Sequence, residues 1–369
     1  MFHYTKYPSR AVQWRILIFI FAITLVNYLD RGALSYAILP IESAFGINNE
    51  GFGFIAAGFG IGYLFMSFFG GVVIDRFGAV RIWSIGAAIW SIATLLMGFS
   101  TGFWSLFILR LILGLAEAIH FPALVKVIAD NLSPHWRAKC ISIGLLGVPV
   151  ASLIGAPLFS WIIEALSWRA MFIIIGIPGM IWALIWPFCF KEHKGYHPLF
   201  SSPKLGILKT NLDIKPRTPW KEMFSSRFFL GNCAIFLIFG YTVFFALTWL
   251  PGYVEQTYKV NLLKTGGLLI FPWGASVISV ILGGVISDHI WKKTTSMRRA
   301  RVFPIGIGML LSGICFSLTA FSTTLSMTIL LLSLGLAFAF FINSPIYSLQ
   351  LHNDTGVIPT FRYKLLLQC

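Results

Sequence analysis

The sequence predicts an all-α membrane protein, on three observations. Of its 369 residues, 57% are hydrophobic and 11% charged, with a mean hydropathy of +0.82; an ordinary soluble domain carries ~25% charged residues. Apolar stretches long enough to cross a bilayer recur along the whole chain. Lysine and arginine gather in alternate connections between those stretches. This composition excludes a soluble enzyme, a disordered chain and a disulfide scaffold. The five cysteines, Cys140, Cys189, Cys233, Cys315 and Cys369, show no paired spacing and no histidine partners at metal-ligand distances. No nucleophile–base pair or phosphate loop is present either, so no enzyme and no cofactor is expected.

Ten stretches are read as helices, because a helix satisfies its own backbone polar groups in hydrocarbon. The first, 16–39, is too long for a signal-peptide core, carries Asp30 and Arg31 and has no small-residue cleavage site, so it is expected to be retained. The second, 51–74, runs into a basic turn from Arg76 to Arg81, and the third, 82–99, leads back out. The fourth, 102–126, holds Arg110 and Glu117. The fifth, 140–163, contains Gly144, Gly147, Pro149, Gly155 and Pro157, a pattern of close helix packing or bending. After the sixth, 169–190, the residues from Lys191 to Arg227 carry four prolines and eight Lys/Arg with little periodicity, which reads as a linker. The seventh to tenth are 228–250, 266–287, 302–321 and 324–349, the last with Asn343 and Pro345 as cavity-lining or kinking residues. The domain reading is a six-helix half over 1–190, a linker over 191–227, a four-helix half over 228–350 and an atypical tail over 351–369.

Charge in the connections gives orientation. Lys6, Arg10, Arg15, Arg76, Arg81, Arg137, Lys139, the linker and the run from Lys292 to Arg301 lie on one side, and the opposite loops carry little positive charge. By the positive-inside rule the amino terminus and linker are cytoplasmic, and the formal charge of +15 is an orientation signal rather than a nucleic-acid footprint.

An internal repeat divides the chain. Gly70-Gly71-Val72-Val73-Ile74-Asp75 recurs as Gly283-Gly284-Val285-Ile286-Ser287-Asp288, an offset of 213 residues or six spans. The same orientation and a basic turn after each copy indicate a duplicated transporter half. By that offset Cys369 corresponds to a position inside the fifth span, so an eleventh and a twelfth helix are wanting, and the segment after Leu351 is a poor spanning helix. A truncated, transport-inactive membrane protein is therefore the alternative reading.

Four ionisable residues lie deep in predicted spans: Asp30, Arg31, Arg110 and Glu117. Each costs ~2.5–3.5 kcal/mol at mid-membrane, so together about 10–14 kcal/mol, and such residues usually face a bundle interior or an ion path. At ~1.5 Å per residue, Asp30 sits about 21 Å along the first span and Arg110 about 12 Å along the oppositely directed fourth, nearly the same height in a ~30 Å core. Arg110 and Glu117 are seven apart and share a helix face, with His120 one turn on from Glu117. Two carboxylates and two guanidiniums sum to zero. Protonating Asp30 and Glu117 would leave a local double positive charge that an anion could neutralise, a route to coupling proton flow to anion uptake. A static ion-pair lock between helices is the other reading. Tyr28, Tyr63 and Trp249 are candidates to line a cavity or to anchor at the membrane interface.

Asn27-Tyr28-Leu29-Asp30-Arg31, Tyr63 with Gly70 through Gly78, Arg110 through Ala118 with Phe121-Pro122, and Trp249-Leu250-Pro251-Gly252-Tyr253 together resemble the major facilitator superfamily. More narrowly they resemble its anion:cation symporter family, which includes hexuronate, galactonate and phthalate permeases. The resemblance implies a helical bundle of about ten of the usual twelve helices. It further implies proton-coupled import of a sugar acid or an aromatic or aliphatic carboxylate by alternating access. It also implies a monomer in the bacterial inner membrane, with the anion, protons and lipid as partners. Asp30, Glu117 and Arg110 resemble proton-coupling residues, and Arg31 and Tyr63 substrate contacts, with Tyr28, Trp249 and Asn343 as further substrate-binding candidates. Asp75, Arg76, Gly78, Arg81 and, by the repeat, Asp288 resemble a cytoplasmic gate. The apolar run Gly147-Val148-Pro149-Val150 stands where sugar-acid permeases tend to place a glutamine.

Overall fold

Segments too apolar for water and too long for a soluble core close their backbone hydrogen bonds within themselves. In this computed structural model all ten predicted stretches are helical. The structure describes residues 10–132, 134–190, 225 and 227–353. The linker over 191–224 and the tail from 354 onward lie outside the described residues.

Span one is α1 (Arg10–Tyr36), followed by a short α2 (Ile38–Phe45). Spans two and three are α3 (Asn49–Phe77) and α4 (Ala79–Met97). Span four is broken into α5 (Phe103–Glu117) and α6 (His120–Asn131). Spans five to eight are α7 (Pro134–Ala165), α8 (Trp168–Cys189), α9 (Arg227–Tyr258) and α10 (Leu262–Thr294). A π-helical turn, Arg298–Val302, opens span nine and continues as α11 (Phe303–Thr319). Span ten is α12 (Leu325–Phe341) with α13 (Asn343–Asn353). Several helices overrun their apolar windows because polar end turns continue the helix into the interfacial zone.

Several helices that start at the weakly charged end are capped by side chains. Asn48 accepts from the Gly51 amide at 3.0 Å, Ser167 from Ala170 at 3.1 Å and Asn261 from Lys264 at 2.9 Å, each occupying an amide the helix leaves open. At the basic end α3 turns into α4 through Gly78 alone, at φ +94°, where a side chain would be strained.

The break in span four comes from Pro122. It has no amide hydrogen to give and its ring crowds the Ala118 carbonyl one turn back, so the helix resets between Glu117 and His120. A single unbroken fourth helix, as the sequence suggests, is corrected to two helical pieces, and Glu117 sits on the last residue before the reset.

Packing places the interior. α3 lies along α5, and α10 lies along α12 in the other half, so the second-on-fourth pairing of the first half reappears as eighth-on-tenth in the second. Glycines make these contacts close. A side chain at Gly62 would strike the Leu111 carbonyl and one at Gly114 the Phe59 carbonyl, so α3 and α5 touch backbone to backbone. α1 packs on α7 and α8, and it meets the second half through α9.

The halves close on one another at the weakly charged end. Asn49 and Gln256 exchange amide hydrogen bonds at 3.3 and 3.2 Å. Phe52 meets Trp249 ring to edge at 5.8 Å. Gly252 lies under Ile38, and Gly266 lies against the Ala156 carbonyl, where an added Cβ would stand 2.6 Å from each neighbour.

Candidate functional site

Below that closure the halves part around a cavity of about 320 Å³. Its polar side comes from the first half: Tyr28 and Arg31 from α1, Tyr63 from α3 and Arg110 from α5. The helical spacing of Tyr28 and Arg31, and of Phe59 and Tyr63, puts each pair on one face of its helix.

Arg31 Nε donates to Glu117 Oε2 at 2.6 Å, and Glu117 is wholly buried behind it. The Arg31 guanidinium is caged by aromatic faces, 4.8 Å from the Tyr28 ring centre, 4.9 Å from Tyr63 and 5.1 Å from Phe59. Arg110 stands 4.9 Å from the same Phe59 ring. One aromatic ring thus contacts two guanidiniums. The Arg110 Nε and Nη1 atoms are buried and have no hydrogen-bond partner among the described residues.

Asp30 is fully buried, both carboxyl oxygens lack a hydrogen-bond partner among the described residues, and it does not reach the cavity wall. Matching heights suggest that Asp30 pairs with Arg110; the ion pair that forms is instead Arg31–Glu117, and no salt bridge joins Asp30 to Arg110. Height along a helix says nothing of azimuth, which decides whether side chains meet.

His120 has a packing role. Trp83 Nε1, which can only donate, points at His120 Nδ1 at 3.3 Å, so Nδ1 is the acceptor. Nε2 then carries the hydrogen toward Thr24 Oγ1 at 3.2 Å, and Thr24 donates onward to the Ile20 carbonyl at 2.8 Å. The ring lies edge-on to Trp83 and Trp90.

Asn343 lines the cavity from the second half, as do Thr248 and Tyr347. Trp249 does not: it lies in the closure against Phe52 and Gly53. Of the gate candidates, Asp288 accepts from Arg301 Nη2 at 2.7 Å within its own half, while Arg76 lies exposed beside the Phe77 ring. Asp75 and Arg81 both have interaction partners in the structure. Phe59, Phe121, Thr248 and Tyr347 are cavity residues that sequence reasoning missed. Phe59 had a signal, standing one turn before Tyr63, but a phenylalanine among 35 does not announce itself.

Residues 20–355 match the family model described as Major Facilitator Superfamily. The chain belongs to the Major Facilitator Superfamily. It is thus a multi-pass membrane protein of a transporter family, not an enzyme. Among superfamily relatives it is 30% identical over 279 residues to the hexuronate transporter of Bacillus subtilis, covering 76% of this chain and 65% of that one. It is 33% identical over 331 residues to the D-galactonate transporter of Escherichia coli O6:H1, covering 83% of this chain and 74% of that one. The chain thus spans just under two thirds of the first relative's length and about three quarters of the second's. In fold it is similar to a bacterial homologue of the human lysosomal transporter Spinster in an inward-facing, occupied conformation. That likeness has a TM-score of 0.72 at 20% identity and covers 98% of this chain and 79% of that one.

Proposed function

We propose that the chain is a proton-coupled secondary transporter that imports a small organic anion, a sugar acid or an aromatic or aliphatic carboxylate, by alternating access. The observation that carries this reading is the charge cluster at the cavity: Arg31 bound to a wholly buried Glu117, Arg110 unpaired on the wall, and Asp30 buried without a partner. Ions so arranged in hydrocarbon are expensive and mark transport paths. Glu117 neutralises Arg31 while ionised. A proton on Glu117 releases that guanidinium, and a second cation beside Arg110 favours an incoming carboxylate. Asp30 is the second proton site.

The basic loops face the cytoplasm of a bacterial cell and the protein sits in the inner membrane as a monomer. On this reading the Asn49–Gln256 and Phe52–Trp249 contacts close the outer end, an inward-facing arrangement. Asp75, Arg76, Gly78, Arg81 and Asp288 then form the inner gate, which closes when the outer one opens. The sugar-acid specificity named for the two relatives supports an organic anion as cargo.

The test is uptake of labelled galactonate, glucuronate and benzoate into proteoliposomes with the outside acidic. Accumulation above that of protein-free liposomes under the same gradient is expected for at least one anion. Asp30→Asn and Glu117→Gln are expected to return it to that level while anion exchange without a gradient persists. Unchanged acid-driven accumulation in both variants removes the coupling scheme.

A further inference from the structure

The cavity has two chemically different ends. The charged end is the Arg31–Arg110 side. The opposite wall is one face of α9, on which Phe236, Phe239, Gly240, Val243, Phe244 and Leu247 recur at helical spacing and present no donor or acceptor. Leu145 and Val148 of α7 extend that apolar wall. The α9 backbone is already hydrogen-bonded within its helix, so it adds no polar partner of its own.

Charge counting limits the ligand further. Arg31 is matched by Glu117 at 2.6 Å, which leaves the Arg110 guanidinium as the cavity's unmatched cation among the described residues. The Arg110 guanidinium lines the cavity, and a carboxylate is a shape that its planar fork of N–H donors accepts. While Glu117 holds Arg31, Arg110 is the guanidinium left for a ligand, and one carboxylate is enough to meet it. Uncharged polar groups are few on the second half: Thr248, Asn343 and Tyr347, with Tyr347 leaning on Phe236 at 5.9 Å. The Tyr28 and Tyr63 hydroxyls add two more on the charged side, so the apolar run of α9 from Phe236 to Leu247 is where a hydroxyl finds no partner.

We propose that the anion this cavity takes is an aromatic or comparably apolar monocarboxylate, its carboxylate at Arg110 and its body on the apolar face of α9, rather than a polyhydroxylated sugar acid. This rests on the reading of the chain as an organic-anion carrier, and it departs from the cargo named for the sugar-acid relatives. A sugar acid seated here turns several hydroxyls toward Phe239, Val243 and Leu247, and each unpaired hydroxyl weakens binding by about tenfold. A flat ring makes the opposite exchange, because it gives up water it holds weakly and stacks on aromatic faces.

The experiment uses the full chain, purified and reconstituted, with benzoate and galactonate as probes of equal charge. Binding is read by ligand-dependent shift of thermal unfolding and by competition in counterflow. Benzoate is expected to bind at least about tenfold more tightly than galactonate. Val243→Thr keeps the side-chain volume, and Phe244→Gln alters a position that is 39% exposed, so both variants should fold, as gel filtration will check. Both are expected to shrink the benzoate-to-galactonate ratio by about fivefold or more, while Arg110→Gln weakens both anions together. Equal or tighter galactonate binding overturns the inference and leaves the carrier reading standing. So does a preference that neither α9 variant moves. If neither probe, nor any other sugar acid or carboxylate of a panel, binds or exchanges, the carrier reading itself fails and the inference falls with it.

Discussion

Phe59 is the residue on which the cavity's electrostatics turn. Its ring faces the Arg31 guanidinium at 5.1 Å and the Arg110 guanidinium at 4.9 Å. Each such contact contributes ~0.5–2 kcal/mol depending on desolvation, and the ring's negative faces let two like charges stand close. Phe59→Leu keeps the bulk and removes the π-system. It should weaken anion binding by about tenfold, as read by titration, with helical content unchanged in circular dichroism. Glu42 offers a second test at this scale, on α2 between spans one and two. Burial raises its carboxyl pKa above the usual value, and its Oε1 has no hydrogen-bond partner. A raised folded pKa means that the ionised group destabilises the fold at neutral pH, that this cost fades as pH falls through the raised folded value, and that it is gone below the unfolded value of ~4.3. Glu42→Gln should therefore raise the thermal midpoint at pH 7 and leave it unchanged near pH 4. Charges in the membrane were legible from sequence because their cost makes them conspicuous. Phe59, Thr248 and Tyr347 were not, since only tertiary packing tells a cavity-facing residue from the many others of its kind.

At the scale of elements, ten spans could be read directly because hydropathy over ~20 residues is a summed signal that no single residue can blur. What hydropathy cannot carry is azimuth and local breaks. It passes over the reset at Pro122, the π-helical turn at Arg298–Val302, and the rotation of α9 that turns Trp249 into the closure instead of the cavity. The contact of α3 with α5 is the element-level feature most open to test. Gly62 and Gly114 each lie against a backbone carbonyl of the facing helix. Gly114→Val must push the two helices apart, costing about 1–3 kcal/mol or more, since backbone cannot yield as a flexible side chain does. A lowered thermal midpoint with loss of anion binding is expected, because Phe59 and Arg110 sit on the two separated helices. Gly60→Ala on the facing helix α3, with nothing within 4 Å of the added carbon, should leave the thermal midpoint unchanged.

For the whole molecule, closure at the weakly charged end is made of two amides, two aromatic rings and close glycine contacts. Pairing residues 49 and 256 across the halves gives a handle on the transport cycle. In a chain with its five cysteines replaced, Asn49→Cys with Gln256→Cys should be joined by a short bifunctional thiol reagent and lose net uptake. A cleavable version of the reagent should restore uptake on reduction. Uptake that survives complete joining, verified by mass, shows that this end does not need to open.

The backbone-to-backbone seat of α3 on α5 has one more implication. It welds Phe59 to Arg110 and Glu117, so these three travel as a unit, whereas Arg31 belongs to a different helix. Any trading of partners would then fall to Arg31, whose helix is not seated on α5 in this way. Of the two cations, the one already holding Glu117 stands outside that seat, and the unclaimed one is fixed by it.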